Sequence, residues 1–246
     1  MKISFEYVPT TSMPSKELMA KIDAISVPHL RGQPFQLTVD TVNQINDAKG
    51  FALAFPHIAA RNLTSEKELL EGLKSMGDLR QVLILGGSET QGKVYHYADD
   101  VLHVLEEIGH TANRHCAVDP NLESYETVLK NQYTRYEWGF NQLCINPKRM
   151  ASFKKHTVYC IPSQTKPTGL AKFMKLCGIR KSLRGAWRNR KAFSYITGGR
   201  FDVNRFWRDI GRLDNDVHFY AFGNMSITIE DFRREFIEES TKRIIA

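Results

Sequence analysis

Apolar positions along the chain fall into two alternating rhythms. Short runs rich in Val, Ile, Phe and Tyr occupy residues 3–8, 34–39, 52–58, 81–86, 111–117, 140–145, 157–161 and 217–222. Runs of this length and composition predict parallel strands covered on both faces. Between them the spacing turns helical. Ser65-Glu66-Lys67-Glu68 leads into Leu69, Leu70 and Leu73, a capping box ahead of an apolar face. Thr168 precedes Leu170, Phe173, Met174 and Leu176, and Gly178 closes that helix. Thr228-Ile229-Glu230-Asp231 opens the last helix, with acids at its positive end. Residues 41–48 form only a short, weak helical pattern. Residues 180–206 read as an insertion between the seventh and eighth strands, long enough for an extra basic helix.

Eight strand–helix alternations in 246 residues predict an α/β chain folded as one eight-stranded β/α (TIM) barrel, with residues 1–246 as a single domain. A doubly wound open sheet is the alternative, because periodicity does not reveal closure. In a barrel, chemistry sits at the C-terminal ends of the strands. The residues falling there are Glu6, His57, Gly86, Gly87, Ser88, Gln142, those after Pro162, and Asn224.

Charge and cysteine usage narrow the picture little. Lys and Arg number 34 against 27 Asp and Glu, for a net charge of +7, which suggests anionic partners without separating nucleic acid from a small polyanion. The excess is local: Arg180, Lys181, Arg184, Arg188, Arg190, Lys191 and Arg200 meet no acid before Asp202. A solvated helix face accounts for such a run equally well. The four cysteines form no C-x-x-C pair and have no His at finger spacing, so buried free thiols are expected. The amino terminus is charged too early for a signal peptide, and no apolar run spans a bilayer. A cytoplasmic protein without a membrane partner is expected, and a homo-oligomer is compatible with everything above.

Five segments, in order, carry a resemblance. They are Phe5-Glu6-Tyr7-Val8-Pro9, Pro56-His57-Ile58-Ala59-Ala60-Arg61, Leu83-Ile84-Leu85-Gly86-Gly87-Ser88, Phe140-Asn141-Gln142-Leu143, and His218-Phe219-Tyr220-Ala221-Phe222-Gly223-Asn224. Together they resemble the methylenetetrahydrofolate reductase family. That family has Phe-Glu-Phe-Phe-Pro-Pro on its first strand and Pro-His-Leu-Thr-Cys on its third. It has Leu-Arg-Gly-Asp on the fourth, Ile-Thr-Gln-Phe on the sixth, and a closing His-Phe-Tyr-Thr-Leu-Asn. The resemblance runs from the first strand to the eighth.

It implies an oxidoreductase acting on a CH–NH group, interconverting 5,10-methylenetetrahydrofolate and 5-methyltetrahydrofolate with a nicotinamide nucleotide, NAD(P)H, as hydride partner. Glu6 matches the acid that lets the substrate's five-membered ring open. A carboxyl doing this must hold its proton near neutrality, as burial among Phe5, Tyr7 and other apolar groups allows. The competing structural role is a strand Glu paired with a Lys or Arg. Gln142 matches the amide that hydrogen-bonds the pterin, offering donor and acceptor together. His57, Gly86, Gly87 and Tyr97 match positions lining the cofactor pocket, and a satisfied core histidine is the plainer role for His57. Ser88 falls on the substrate side. Arg184 and Arg188 are candidates to hold a folate glutamate tail or a nicotinamide phosphate.

The chain departs from the family where flavin would bind. FAD is the family's usual cofactor, met by an Arg-Gly-Asp turn; here the turn is Gly86-Gly87-Ser88. Asp119-Pro120 replaces a His-Pro pair, and the downstream cations fall near Asn131 and Gln132. Charge-assisted contacts are typically worth about 1.5–3 kcal/mol each, so their loss leaves two readings: flavin held by different residues, or, the one favoured here, hydride passing directly from nicotinamide to folate.

Two other readings compete. Residues 87–94 nearly match a phosphate-binding loop, but Val94 replaces the metal-binding hydroxyl and Glu89 would repel phosphate. The basic stretch 180–191, with Trp187, Phe193 and Tyr195 close by, suits a non-enzymatic nucleic-acid or anion binder, though no nucleic-acid module accompanies it. No metal-binding His pair or Rossmann glycine fingerprint occurs in the sequence. His96 and His103 lack further ligands nearby.

Overall fold

A computed structural model describes residues 1–9, 13–48, 53–77, 79–87, 94–121, 135–153, 157–177, 179, 189–211, 215–220 and 225–238. Eight strands carry the architecture: β1 (Ile3–Glu6), β2 (Ala24–Val27), β3 (Leu53–Ala59), β4 (Gln81–Leu85), β5 (Asn113–Val118), β6 (Trp138–Asn141), β7 (Thr157–Pro162) and β10 (Val217–Tyr220). Their hydrogen-bonded order, β1-β10-β7-β6-β5-β4-β3-β2, closes into a parallel barrel surrounded by helices. A separate two-stranded antiparallel sheet pairs β8 (Ile196–Thr197) with β9 (Arg200–Phe201). The helices are α1 (Lys16–Met19), α2 (Phe35–Asp47), α3 (Glu66–Ser75), α4 (Ala98–Glu107), α5 (Pro147–Ala151), α6 (Pro167–Leu176), α7 (Val203–Ile210) and α8 (Met225–Arg233). Among the described residues, no helix is long and apolar enough to cross a membrane. By density of contacts the chain divides into two compact units. One is Ser4–Ala117 with Gln132–Phe140; the other is Met1–Ile3, Val118–Asn131 and Asn141–Ala246.

In the amino-terminal unit, register decides which side chains share a face. Glu6 lies opposite Ser26, Ser26 opposite Phe55, and His57 opposite Leu83, which lies opposite His115. Side chains alternate along a strand, so Glu6, Ser26, Phe55, His57, Leu83 and His115 point to one side of the sheet. The rings of Phe55, His115 and Phe140 meet there, with centroids 5.6–6.3 Å apart. The opposite face presents Phe5, Ile25, Ile58 and Ile84, all buried. α2 packs against β3, and the Asn46 side chain exchanges two hydrogen bonds with the Ala54 backbone. α3 closes on α2 at Gly72, where a Cβ would sit 2.7 Å from the Phe35 ring.

The second strand is not where periodicity puts it. Residues 34–39 begin α2, and the strand is Ala24–Val27. Phe35 and Val39 are four apart, and the buried stripe runs on through Val42 and Ile45, which is helical spacing. What looks like alternation at Phe35, Leu37 and Val39 is one turn of that stripe. Pro34, placed just before the helix, supplies a fixed φ and no donor where none is needed. Ser65 caps α3 as expected, its Oγ accepting from the Glu68 N–H. The Glu68 carboxylate does not complete the box; it accepts instead from Thr64 and from the Phe35 N–H.

In the carboxy-terminal unit, β10 runs beside β7 with Val217 opposite Tyr159 and Tyr220 opposite Pro162. Behind them Trp207 lies edge-on between Tyr159 and Phe232, and Phe232 meets Phe219. The sixth strand ends at Asn141, earlier than the apolar run suggests, because Leu143, Cys144 and Ile145 are buried in a loop rather than a ladder. The last helix begins at Met225, and Thr228 lies inside it, where its Oγ1 accepts from the Gln164 N–H. Between β7 and β10 the described residues form α6, a 3-10 turn at Ala192–Tyr195, the β8–β9 hairpin and α7. Gly178 and residues 180–188 lie outside the described residues. Cys116, Cys144 and Cys160 are buried free thiols, and Cys177 is partly exposed.

Candidate active site

Glu6 is the last residue of β1. Its neighbours in sequence, Phe5 and Tyr7, are buried, and its partner across the sheet, Ser26, is wholly buried. Glu6 itself keeps partial exposure. Among the described residues no hydrogen bond or ion pair reaches its carboxylate. Burial alone therefore acts on it, raising its pKa from 4.5 to about 7. A strand Glu serving structure would have a cationic partner and a pKa pulled the other way.

Three histidines belong to the same unit. His57, on the Glu6 side of the sheet, is held neutral by burial, its pKa lowered to about 3, and His29 nearby adds to that. His29 follows β2 and packs its ring on Phe35, centroids 5.2 Å apart. Burial lowers its pKa too, against the opposing pull of Glu68 and the Gln33 backbone. His115 is lowered to about 4, again by burial. Among the described residues, the His29 ring has a hydrogen bond with the Gln33 backbone, while His57 Nε2 and His115 Nδ1 are buried and reach no partner in hydrogen-bond geometry. Such groups are rare in folded proteins and call for an explanation such as a bound ligand or water. His57 thus carries one ring nitrogen, Nε2, that no described residue satisfies. His29 is a residue that sequence reasoning missed; only its place two residues past a strand that was itself misplaced could have marked it.

The ends of β3 and β4 bring the remaining residues together. Gly87 has φ +81°, and a Cβ there would lie 3.3–3.4 Å from Ala59 Cβ, the Arg61 nitrogen and Asn62 Oδ1. The turn demands glycine on both counts. Arg61 donates its backbone N–H to the Gly86 carbonyl at 3.0 Å and its Nε to the His96 carbonyl at 2.7 Å. Its Nη2 lies 3.9 Å from where a Gly86 Cβ would stand. Arg61 thus brings a cation to the turn whose own Arg is missing, a substitution no linear motif reveals. Next to it, Tyr97 opens α4 with its ring exposed, and the Asp100 carboxylate accepts from the His96 and Tyr97 N–H groups. Arg61 thereby links Gly86 and Gly87 to the segment leading into Tyr97, while His57 lies within β3 opposite Leu83, two residues before the strand's end.

Gln142 belongs to the carboxy-terminal unit. Its Oε1 accepts from the Leu143 N–H at 3.2 Å and from the Tyr220 hydroxyl at 3.4 Å. That fixes the oxygen side of the amide, while no described residue accepts from its NH2 group. Just before it, Asn141 is buried and ties β6 to β7 through both directions of hydrogen bonding with Cys160. Asp119, where the resemblance has His, accepts from the Asn121 backbone and side chain.

Ser88, Arg184, Arg188, Asn131, Gln132 and Asn224 lie outside the described residues. Among the described residues, no group of three or more His, Cys, Asp or Glu could hold a metal ion. No protein-family model matches the chain, and no curated protein matches it.

Proposed function

We propose that the protein is an oxidoreductase that interconverts 5,10-methylenetetrahydrofolate and 5-methyltetrahydrofolate, with NAD(P)H as the partner nucleotide. The reading rests on the resemblance of the five ordered segments. Of the structural observations, the one that carries it is the Glu6 carboxyl, unpaired among the described residues, whose pKa of about 7 leaves a large protonated fraction at neutrality. In the reductive direction Glu6 donates its proton to the departing ring nitrogen as the C–N bond breaks. The exocyclic carbon becomes an iminium carbon and accepts hydride from the nicotinamide, leaving a methyl group and the oxidised nucleotide. In the oxidative direction each step reverses, with Glu6 carboxylate taking the proton. By the resemblance, Gln142 contributes its NH2 group, which no described residue accepts from, to the pterin. His57, Gly86, Gly87 and Arg61 contribute to the nucleotide.

The residues fit FAD poorly. The strand-four turn carries no cation of its own, and an acid, Asp119, stands where the family has His. No step is routed through flavin here.

The test is turnover of 5,10-methylenetetrahydrofolate with each nucleotide, deuterated at the transferring nicotinamide position. Label retained in the methyl group supports direct transfer; a reduced flavin would exchange it with water. Glu6→Gln is expected to lower kcat about 10²- to 10⁴-fold. Absence of turnover in both directions with both nucleotides, or full activity of Glu6→Gln, would overturn the reading.

A further inference from the structure

The β8–β9 hairpin holds one cation beside the end of β7. Gly198 and Gly199 turn it with φ of +55° and +73°, values that residues with a side chain rarely adopt. Phe201 anchors it: the ring is wholly buried, and the backbone N–H donates to the Thr165 carbonyl at 2.7 Å. Asp202 ties the hairpin's end back to its start, donating its N–H to the Tyr195 carbonyl at 2.8 Å. Arg200 reaches Gln164, two residues past β7, its Nη1 donating to Gln164 Oε1 at 3.2 Å. The Gln164 N–H donates to Thr228 Oγ1 at 2.7 Å, so hairpin, strand end and α8 are joined.

These elements and the start of α7 surround a cavity of about 230 Å³, lined by Gln164, Thr197, Arg200, Asp202, Asn204 and Asp231, among others. Its charges are of both signs and do not pair with each other. Among the described residues, Arg200 has no carboxylate partner; its guanidinium is turned to the Gln164 amide. Asp202 Oδ1 caps α7, accepting from the Arg205 N–H at 2.9 Å, and Asp231 Oδ1 accepts from Arg234 Nη2 at 2.7 Å. The second oxygen of each carboxylate accepts from no described residue. Opposite charges around so small a space would pair if their backbones allowed it. The anchored hairpin and the helix cap hold them apart. Phe201 and Val203, both buried, add an apolar wall.

We propose that this cavity binds a free α-amino acid, its carboxylate on Arg200 and its ammonium on Asp202 and Asp231. A lone anion would meet two carboxylates, a lone cation would meet the guanidinium, and a neutral polyol would leave both signs unmatched. A zwitterion answers both at a fixed short separation. The guanidinium fork suits the two oxygens of a carboxylate. The volume lies below the roughly 300–1,000 Å³ typical of pockets for drug-sized ligands, which limits the occupant to a small side chain. The site shares no residue with those assigned to folate and nucleotide, and stands or falls without them.

Calorimetric titration of the full chain with glycine, L-serine, L-threonine and L-methionine tests this, each beside its decarboxylated amine and its desamino acid. At least one amino acid is expected to saturate at about millimolar concentration and to bind at least about tenfold more tightly than either analogue. Arg200→Gln should weaken that amino acid by the same factor and leave the amine unchanged. Asp202→Asn/Asp231→Asn, which keeps a capping oxygen for α7, should weaken it similarly and leave the desamino acid unchanged. Both variants are checked to unfold at the wild-type temperature. Backbone amide shifts in the wild-type protein, which need no variant, should centre on residues 197–204. No saturation by any of the four at tens of millimolar would overturn the site. So would an amine or desamino acid binding as tightly as its amino acid, affinity untouched by Arg200→Gln, or shifts centred elsewhere.

Discussion

Two sets of buried polar side chains, one in each unit, are treated in opposite ways. In the carboxy-terminal unit three buried asparagines, Asn121, Asn141 and Asn189, are bonded on both sides of their amides. They join loop to strand and strand to strand. In the amino-terminal unit His57 and His115 are also buried, yet among the described residues His57 Nε2 and His115 Nδ1 meet no partner. Glu6, on the same sheet, has its pKa raised to about 7 by burial, and no described residue bonds to its carboxyl. Fully satisfied amides are scaffolding: they fix geometry and leave nothing over for a ligand. Unmet nitrogens and an unpaired acid cost stability, and such residues cluster where function requires them.

Asn189 offers the largest expected break in that contrast. Asn189→Ala strands the Ile145 N–H and Asn121 Oδ1 away from water, at about 1–3 kcal/mol each. A loss of about 3 kcal/mol in urea unfolding is expected, with the dependence on denaturant unchanged. A loss under 1 kcal/mol would mean that the asparagines are not scaffolding.

The opposite unit should respond weakly. His115 lies among the Phe55 and Phe140 rings with Nδ1 unmet, so His115→Phe replaces an unsatisfied group by an apolar ring of similar shape. A change between zero and about 1 kcal/mol of added stability is expected at pH 7. The acid limb should also flatten. His115 has a folded pKa of about 4 against 6.5 unfolded, so its contribution is present above pH 6.5 and is lost as pH falls through 4. Destabilisation by 2 kcal/mol or more at pH 7 would show that the Nδ1 is satisfied after all.

Much of the fold is legible in the sequence because most strands are short apolar runs between well-signalled helices. The failures have local causes. Ala24–Val27 is four residues long and interrupted by the polar Ser26, which lies opposite Glu6 in the register. Residues 142–145 look like strand because Leu143, Cys144 and Ile145 are buried, but side-chain amides take up their backbone groups. At the candidate site, the chemistry of Glu6 follows from residue type and place in a strand. His29 and Arg61 do not, since what marks them is a ring buried against Phe35 and a guanidinium beside a turn 25 residues further along the chain. The cavity at Arg200 and Asp231 is invisible for the same reason: the hydrogen bonds of Gln164 join segments 36 and 64 residues apart.

Everything proposed for the chemistry depends on one proton. A folded pKa above the ordinary value means that the Glu6 contribution to stability is complete below about pH 4.5 and is lost as pH rises through about 7. The direct measurement is a titration of the side-chain carboxyl by NMR in glutamate-labelled protein, with Glu6→Gln identifying the signal. A midpoint near 7 for the signal missing from Glu6→Gln is the expected result. A midpoint near 4.5 would contradict the account, leaving Glu6 ionised at neutrality and without a proton to give.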